Sequence, residues 1–315
     1  MKRYQITQTS EFGVYSRDDH LLVHITIKDT LTSAPSDPSS VSIAIISPCD
    51  VSIVTATMSK ATTGVYFYDY DFSSTTTYGV YEVQISTATY PHLESYNFVV
   101  MPWNINAQVR RLSGIMAQND VTDYLLAQII WDAYMETLET IYDLHDNECV
   151  LSNPSTCVLF NGINKRVRVK STPIADINGD TVFTGYLQQT CGEDITGYWI
   201  DSNYVYQTAK INVINEKQGI IDIMQIGGAA IPDDNRGVRV RYWTSSPSYD
   251  ERLMREAVAY LAAHHLILAF QSLYKTTLAD LQTNEQKLVA DMNRLKNKFD
   301  NIVEIISTPM IGGVK

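Results

Sequence analysis

The apolar residues of this chain change their period near residue 103, and that change constrains the fold more than any other feature. From Val14 to about Val100, apolar and polar residues alternate, which predicts β-strands with one buried face. From about residue 120 onward, long stretches place apolar residues every three or four positions, which is typical of α-helices. A length of 315 residues suits about two domains. We therefore expect an α+β protein of two domains, residues 1–103 and residues 104–315.

The first predicted domain has the pattern of an immunoglobulin-like β-sandwich. Six alternating segments are separated by clusters of Ser, Thr, Pro and Asp, and short strands at this spacing are typical of that sandwich. Tyr81, in the tripeptide that begins at Gly79, is a candidate tyrosine corner whose hydroxyl bonds to upstream backbone; plain cross-strand packing is the alternative. The predicted strands are Leu21–Ile27, Val41–Ile46, Val51–Met58, Val65–Phe72, Val80–Ser86 and Tyr96–Val100.

The first strong helical pattern lies within Arg110–Asp146. Asn119 and Asp120 are the predicted N-cap residues, and a helix of about seven turns follows. No Lys or Arg occurs between Arg111 and Lys165, so the polar face of this helix is wholly acidic. Two interpretations stay open: a solvated face, or a face that contacts a basic surface or lines a lumen. The acidic candidates are Asp132, Glu136, Glu139 and Asp143.

A second β-rich stretch follows at about residues 158–243, and it predicts an antiparallel meander or small barrel inserted between helices. The Asn-Gly-Asp turn at residues 178–180 is a hairpin signal within it. Arg166, Arg168 and Lys170 alternate, so they share one face of a strand. This face either meets phosphates or an acidic neighbouring subunit, or it is an ordinary edge strand that charge keeps soluble.

Two long helices complete the predicted second domain. The first, Glu251–Tyr274, is rich in small residues and is expected to lie in the core. In the last helix, apolar residues from Leu281 to Ile306 alternate at spacings of three and four, as in a coiled-coil seam. Its other faces are basic, and we expect them to pair with the acidic helix. The basic candidates are Lys287, Arg294 and Lys298.

Composition and spacing argue against several functions. The formal net charge of -11 disfavours sequence-independent nucleic-acid binding. The four cysteines form no CxxC pair, and His264-His265 has no acidic residue at helical spacing, so no metal site is expected. We also expect no phosphate-binding loop, no catalytic site, no cofactor, no export signal and no membrane span.

Three segments in order carry a resemblance to a known family. The segment VRRLSGIMAQNDVTDYLLAQIIWDAYMETLE, from Val109, resembles an opening helix with a basic-apolar lead. The strand block that ends in GVRVRYW resembles a mid-chain β insertion, and DERLMREAVAYLAAHHLI resembles the helix after it. In this order the chain resembles the head-tail connector (adaptor) family of tailed viruses over about two thirds of its length. The N-terminal sandwich and the long final helix depart from the minimal pattern of that family.

The resemblance implies a non-enzymatic ring, commonly of twelve copies, that docks on the portal protein and extends the DNA channel. The ring would join the head to a tail or second connector protein at the neck of the virion, and would pass genomic DNA without sequence specificity or membrane contact. C-terminal segments of that family often reach into the portal. The candidate docking residues are therefore Ser307, Thr308, Pro309, Met310, Ile311, Val314 and Lys315.

Two other functions remain as alternatives. One is a tail or baseplate component whose β-sandwich binds host-surface glycans, which would require clustered exposed aromatic residues on one sandwich edge. The other is a glycan hydrolase, which would require turn carboxylates such as Glu193 and Asp233 to meet in one cleft at catalytic separation.

Overall fold

A computed structural model describes most of the chain as a mixed α+β protein. Within the described residues there are four helices and three sheets, which confirms the predicted α+β class. Two compact units are present, residues 1–133 with 262–292 and residues 134–261 with 293–315, and each is described by itself. The domain boundary near residue 103 stays a prediction. The described residues are 4–8, 13–17, 19–48, 50–72, 77–90, 94–115, 121–150, 162–163, 165–177, 184–185, 194–245, 250–274 and 282–307.

Nine strands lie in the described part of the N-terminal hundred residues. The six predicted strands are confirmed as β3, β4, β5, β7, β8 and β9, with ends that shift by at most two residues. Strands β1, β2 and β6 were not predicted because each is short or lacks clear alternation. The strands are β1 Tyr4–Gln8, β2 Val14–Tyr15, β3 His20–Asp29, β4 Val41–Ile46, β5 Ser52–Thr57, β6 Ser59–Thr62, β7 Val65–Asp71, β8 Gly79–Thr87 and β9 Glu94–Val100.

These strands form two sheets that share one hydrophobic cluster. The strand orders are β1-β3-β7-β6 and β2-β9-β8-β4-β5. All pairs are antiparallel except β2 with β9, which run parallel, and Val99 N and Met101 N donate to Gly13 O and Tyr15 O, each over 3.0 Å. Alternate residues point inward, because successive side chains of a strand face opposite sides. The cluster includes Leu21, Val23, Ile25, Ile43, Ile45, Val83, Ile85 and Phe98.

Tyr81 makes the bond that the sequence predicts. Its hydroxyl donates to Thr77 O over 2.7 Å, and its ring stacks on Phe98 with centroids 5.2 Å apart. Only 2% of Tyr81 is exposed, and burial raises the pKa of its phenol well above the ordinary value. The tyrosine therefore anchors the start of β8 to the segment before it.

The predicted acidic helix is shorter than expected. Helix α1 covers Asn106–Ser113 and ends at Gly114, whose positive φ of 75° terminates the helix. Helix α2 covers Asp123–Ile141, and the Thr122 hydroxyl accepts from Leu125 N over 3.3 Å at its start. The predicted caps Asn119 and Asp120 lie outside the described residues.

The first residue of α2, Asp123, forms an ion pair with Arg110 of α1. Asp123 accepts a 2.8 Å hydrogen bond from Arg110 Nη2, and the same nitrogen donates to Val121 O over 3.0 Å. Arg110 is 8% exposed, so this ion pair ties α1 to the first turn of α2 in a largely buried place. A buried cation needs such a partner, because an unpaired one is costly.

Seven further strands form an antiparallel sheet, which we call the curled sheet; six of them lie in the β-rich stretch that the sequence predicts, and β10 lies before that stretch. Its order is β10-β16-β13-β14-β15-β11, with β12 paired to β14. One hydrophobic core contains residues from β11, β13, β14, β15 and β16, so these strands bury a common face. The strands are β10 Asp143–Cys149, β11 Arg166–Arg168, β12 Thr184–Gly185, β13 Ile195–Ile200, β14 Tyr206–Asn215, β15 Ile220–Gln225 and β16 Gly237–Thr244.

A hydrogen-bond network joins β10, at one edge of the curled sheet, to the segment that follows β11, at the other edge. Glu148 on β10 accepts from Lys170 N over 2.9 Å and from the Tyr242 hydroxyl over 2.6 Å. Ser171 N donates to the same hydroxyl over 3.1 Å, and His145 stacks on the Tyr242 ring with centroids 5.0 Å apart. Burial and the Glu148 carboxylate raise the pKa of Tyr242 to about 12. The sheet therefore closes on itself through side chains.

The two C-terminal helices match their predicted positions. Helix α3 covers Glu251–Tyr274, and helix α4 covers Gln282–Ser307. Leu295, Phe299 and Ile306 of the predicted seam are buried at spacings of four and seven residues. Contrary to expectation, the Glu251–Phe270 part of α3 is long and apolar enough to cross a membrane. Half of this part is buried inside the protein, and the core helices of soluble proteins can have the same length and composition.

Candidate functional site

The acidic candidates divide between two elements. Asp132, Glu136 and Glu139 are exposed at positions i, i+4 and i+7 of α2, so they share one helix face. Asp143 was expected on the same helix, and that prediction is wrong because α2 ends at Ile141. Residues 143–149 pair with β16 instead, since ladder hydrogen bonds and the stacking on Tyr242 outweigh local helical spacing. The acidic face is therefore one turn shorter than expected.

The basic candidates of β11 occupy one exposed face, as expected. Arg166, Arg168 and Lys170 are exposed, while the two valines between them are buried. Arg166 donates to both oxygens of Asp222, over 2.8 and 3.0 Å, and this carboxylate raises the pKa of the guanidinium. The charge of Arg166 is thus locally compensated. Arg168 Nε instead donates to the carbonyl of Gln218 over 2.9 Å, which leaves its charge without a described carboxylate partner.

The basic candidates of the last helix lie on α4. Arg294 and Lys298 are exposed, and the side chain of Lys287 lies outside the described residues. An ion pair of the same helix joins Lys296 to Asp300 over 3.2 Å. Pairing between this helix and the acidic face of α2 stays a prediction.

The C-terminal candidates are described only at their first residue. Ser307 is the last residue of α4, so the helix extends one residue into the candidate docking segment. Thr308, Pro309, Met310, Ile311, Val314 and Lys315 lie outside the described residues. Their role in docking stays a prediction.

The histidine pair that suggested chemistry has packing partners. His264 Nδ1 lies 3.2 Å from Met292 O, and its ring tilts against that of His265. Among the described residues, no group of three His, Cys, Asp or Glu side chains is placed to hold a metal ion. Asp233 is exposed in a loop, and Glu193 lies outside the described residues.

Among the described residues, the most exposed aromatic side chains lie on a surface that was not predicted from the sequence. Tyr204, Val205 and Tyr206 are 71%, 51% and 68% exposed at the turn between β13 and β14. The Arg236 guanidinium lies 5.5 Å from the centroid of the Tyr204 ring, and Tyr198 meets Tyr206 edge-on at 5.1 Å. We call Tyr204, Val205, Tyr206 and Arg236 the tyrosine tip.

Asp201 holds the tyrosine tip in shape. Its carboxylate accepts from Asn203 N and Val205 N, each over 2.9 Å, and from Gln207 Nε2 over 3.2 Å. These donors, Val205 N first, lower the pKa of Asp201. Tyr204 has a φ of 63°, which a tyrosine rarely adopts, and the surrounding bonds stabilise that conformation.

A sequence signal for the tip was available. Asp201-Ser202-Asn203 is a turn cluster of residues that bond to their own backbone, and it is followed by two tyrosines at alternate positions. That pattern indicates a tight hairpin with aromatic side chains near its end. It does not indicate whether those rings are buried or exposed, because burial depends on the strands that pair alongside.

Comparisons with known proteins give no family for this chain. No family model and no curated protein matches it. Among solved structures, AaCel9A in complex with cellobiose-like isofagomine aligns with 34% of this chain and 17% of its own, at 11% identity and a TM-score of 0.24. Salmonella alpha-2-macroglobulin reacted with methylamine aligns with 79% of this chain and 13% of its own, at 11% identity and a TM-score of 0.28. Trypsin-activated Escherichia coli alpha-2-macroglobulin aligns with 77% of this chain and 15% of its own, at 9% identity and a TM-score of 0.29. The chain thus spans less than a fifth of each, and scores this low carry no argument.

Proposed function

We propose that the chain is a structural head-tail connector (adaptor) of a tailed-virus particle. It forms a ring beneath the portal protein, commonly of twelve copies in this family, extends the DNA channel and joins the head to a tail or second connector protein. The observation that carries the proposal is the order of elements from α1 onward: two helices, an inserted antiparallel sheet, and two long helices. This is the order of the three sequence segments on which the family resemblance is based.

We further propose that the N-terminal region is an immunoglobulin-like β-sandwich. Immunoglobulin-like domains place strands A, B, E and D in one sheet and C, F and G in the other. The orders β1-β3-β7-β6 and β2-β9-β8-β4-β5 follow this scheme when β3 is strand B and β8 is strand F. The bond from Tyr81, on β8, to the backbone of Thr77 supports the scheme, because a tyrosine corner belongs on strand F.

The acidic character of the chain suits a channel through which DNA slides. A protein that neutralises phosphates displaces counterions and binds tightly, whereas an acidic lining repels phosphate and gains no such affinity. Asp132, Glu136 and Glu139 form an exposed acidic face on α2 that is suited to this role. The rival role is an ion pair with the basic face of α4.

The salt dependence of assembly distinguishes these two roles of the acidic face. Assembly that strengthens as salt rises would support a lumen of like charges, because screening relieves their repulsion. Assembly that weakens would support the ion-paired contact. In the second case, the double variant Arg294→Glu with Lys298→Glu should disturb folding or assembly, and wild-type behaviour of that variant would exclude the pairing.

The connector role is tested by imaging the purified chain with and without the portal protein of the same virus. We expect negative-stain images and mass photometry to show a ring, either of the chain alone or formed on the portal. A variant that lacks residues 308–315 should keep the ring and bind the portal less tightly, if that segment docks there. A tight dimer with no affinity for the portal would contradict the proposal.

The glycan-binding alternative gains no support from the N-terminal sheets. It requires clustered exposed aromatic residues on one edge, and among the described residues of those sheets Phe67, at 37%, is the aromatic side chain with more than a third of its surface exposed. The exposed aromatic cluster lies instead on the curled sheet.

A further inference from the structure

We propose that copies of this chain associate head to tail, with the tyrosine tip of one copy against a basic corner of the curled sheet in the next. The proposal rests on the proposed function, because it names the contact that would join neighbours in the ring. It is based on the tyrosine tip, whose exposed side chains are not needed to fill the core of the fold.

The tyrosine tip has the chemistry of a protein contact. Clustered exposed apolar residues on a stable protein mark interaction sites, and Tyr and Arg are enriched among the residues that dominate binding energy. The bonds of Asp201 fix the turn before any partner arrives, which lowers the entropy cost of association. The tip is thus an ordered surface, and not a set of loosely placed side chains.

The shape of the tip favours a protein partner over a sugar. Tyr206 pairs with Ile200 of β13, whereas pairing of β14 with β15 begins only at Ala209. The hairpin therefore projects beyond β15 by about 10 Å, at the usual rise per strand residue. Small ligands bind in concave sites, whereas these side chains stand exposed on a projecting turn. One side of the Tyr204 ring also faces Arg236 already.

An acidic margin lies beside the tip. Asp233 and Asp234 are exposed in the loop that leads to Arg236, and Arg236 N bonds to Ile200 O at the base of the hairpin over 2.7 Å. Asp201 is already engaged with its own turn. The surface that fits the tip therefore combines an apolar contact with a basic border.

The opposite end of the same sheet offers that combination. Arg168, Lys170 and Lys217 are exposed there, and Ile214, near the end of β14, is 48% exposed. The bond from Arg168 to Gln218 O holds the arginine on the turn that carries Lys217, while Glu216 is the acidic residue of that turn. We call Arg168, Lys170, Lys217 and Ile214 the basic corner.

The two surfaces cannot meet within one copy. Strand β14 has ten residues and runs from the tip to the basic corner, so about 30 Å separates them at the usual rise per residue. A contact between two different surfaces is heterologous, and it builds either a closed ring or an open filament. A second copy of this chain is therefore the occupant that the charges of the sheet favour.

A mixing experiment with charge-reversed variants tests the contact. Variant one carries Asp233→Lys and Asp234→Lys, and variant two carries Arg168→Glu and Lys217→Glu. In a sample of either variant alone, every contact brings like charges together. The protein concentration at which half of the chains are assembled should therefore rise about tenfold, as measured by mass photometry with or without portal protein. An equal mixture restores opposite charges at every contact and should assemble at nearly the wild-type concentration. The control, Asp69→Lys with Asp71→Lys, makes the same charge change at exposed positions of β7 and should assemble normally.

Rescue by mixing cannot come from variants that fail to fold. If both variants match the wild type in circular dichroism and thermal unfolding, loss of assembly without rescue would overturn the proposal. A photo-crosslinking amino acid at Tyr206, in a mixture of ¹⁴N- and ¹⁵N-labelled chains, should join residues 204–206 of one copy to residues 214–218 of another.

Failure of the proposed contact can be distinguished from failure of the proposed connector role. Rings whose crosslinks join other surfaces would overturn the contact but leave the connector role standing. Filaments joined through the tip, without portal affinity, would support the contact and contradict the connector role. Glycan binding that Tyr206→Ala abolishes, while assembly stays unchanged, would also overturn the contact.

Discussion

Tyrosine serves opposite purposes in the two β regions of this protein. In the N-terminal sheets, Tyr81 is 2% exposed, stacks on Phe98 and donates to backbone that precedes it. In the curled sheet, Tyr204 and Tyr206 stand on a projecting turn and are mostly exposed. The N-terminal sheets use aromatic rings to fill and fasten a core, whereas the curled sheet buries Tyr242 but displays Tyr204 and Tyr206. The partners on neighbouring strands, more than the local sequence, decide between these uses.

The first and largest test of this contrast removes an aromatic ring from each environment. Phe98→Ala should lower the free energy of unfolding of the N-terminal region by about 3–5 kcal/mol, because it leaves a cavity beside Tyr81 and Tyr15. Urea titration with hydrogen exchange in β4 and β8 measures the loss. Phe67→Ala, at a ring 37% exposed, should cost less than about 1 kcal/mol. Equal losses would contradict the assignment of Phe98 to the core.

The second test concerns the network that closes the curled sheet. Tyr242→Phe should lower the free energy of unfolding by about 1.5–3 kcal/mol at pH 7, because Glu148 loses a hydrogen-bond donor. The folded pKa of Tyr242 is about 12, above the ordinary 10.0, so the stabilising neutral form is complete below pH 10 and is lost between pH 10 and 12. The wild type and the variant should therefore converge over that interval. A constant difference would show that Tyr242 does not titrate beside Glu148.

The third test separates a bonded hydroxyl from an exposed one. Tyr81→Phe keeps the ring but removes the bond to Thr77 O, and should cost about 1 kcal/mol. Tyr204→Phe makes the same chemical change at the tip, where we expect no measurable loss. Chemical denaturation of both variants gives the comparison, and a loss at Tyr204 as large as that at Tyr81 would remove the distinction.

The smallest expected effect is local. Asp201→Ala should leave global unfolding unchanged, while the amides of Asn203 and Val205 exchange faster because they lose their acceptor. The pKa of Asp201 is lowered, so in the wild type this protection should persist as pH falls through the ordinary carboxyl range and be lost only below it. Asp234→Ala is the matched control, and equal exchange in both variants would contradict the role of Asp201.

The accuracy of the sequence predictions follows from how local each signal is. The alternation in β4 is regular and fully matched, since Val41, Ile43 and Ile45 are all buried. The predicted helix extends beyond α2 because Leu144 falls at helical spacing, yet Leu144 lies in β10 and pairs with Trp243 of β16, about a hundred residues away along the chain. A pairing at that distance leaves no trace in a local window.

The candidate surfaces show the same limit. The exposed face of Arg166, Arg168 and Lys170 could be predicted because alternation in one strand determines it. The bidentate pairing of Arg166 with Asp222 could not, because it depends on which strand lies alongside. The tyrosine tip was missed for a similar reason. Nothing in its sequence reveals that β15 pairs with β14 only as far as Ala209 and so leaves Tyr206 without a paired residue of β15 on that side.

The parallel pairing of β2 with β9 has a mechanical consequence. The two hydrogen bonds, from Val99 N to Gly13 O and from Met101 N to Tyr15 O, lie across the strand direction. A pull between the residues before β2 and those after β9 acts along the strands, in opposite directions on the two. Both bonds then resist shear together, whereas a pull across the strands would break them one at a time. Tension applied between the residues before β2 and the helices after residue 101 therefore loads this strand pair in its more resistant direction.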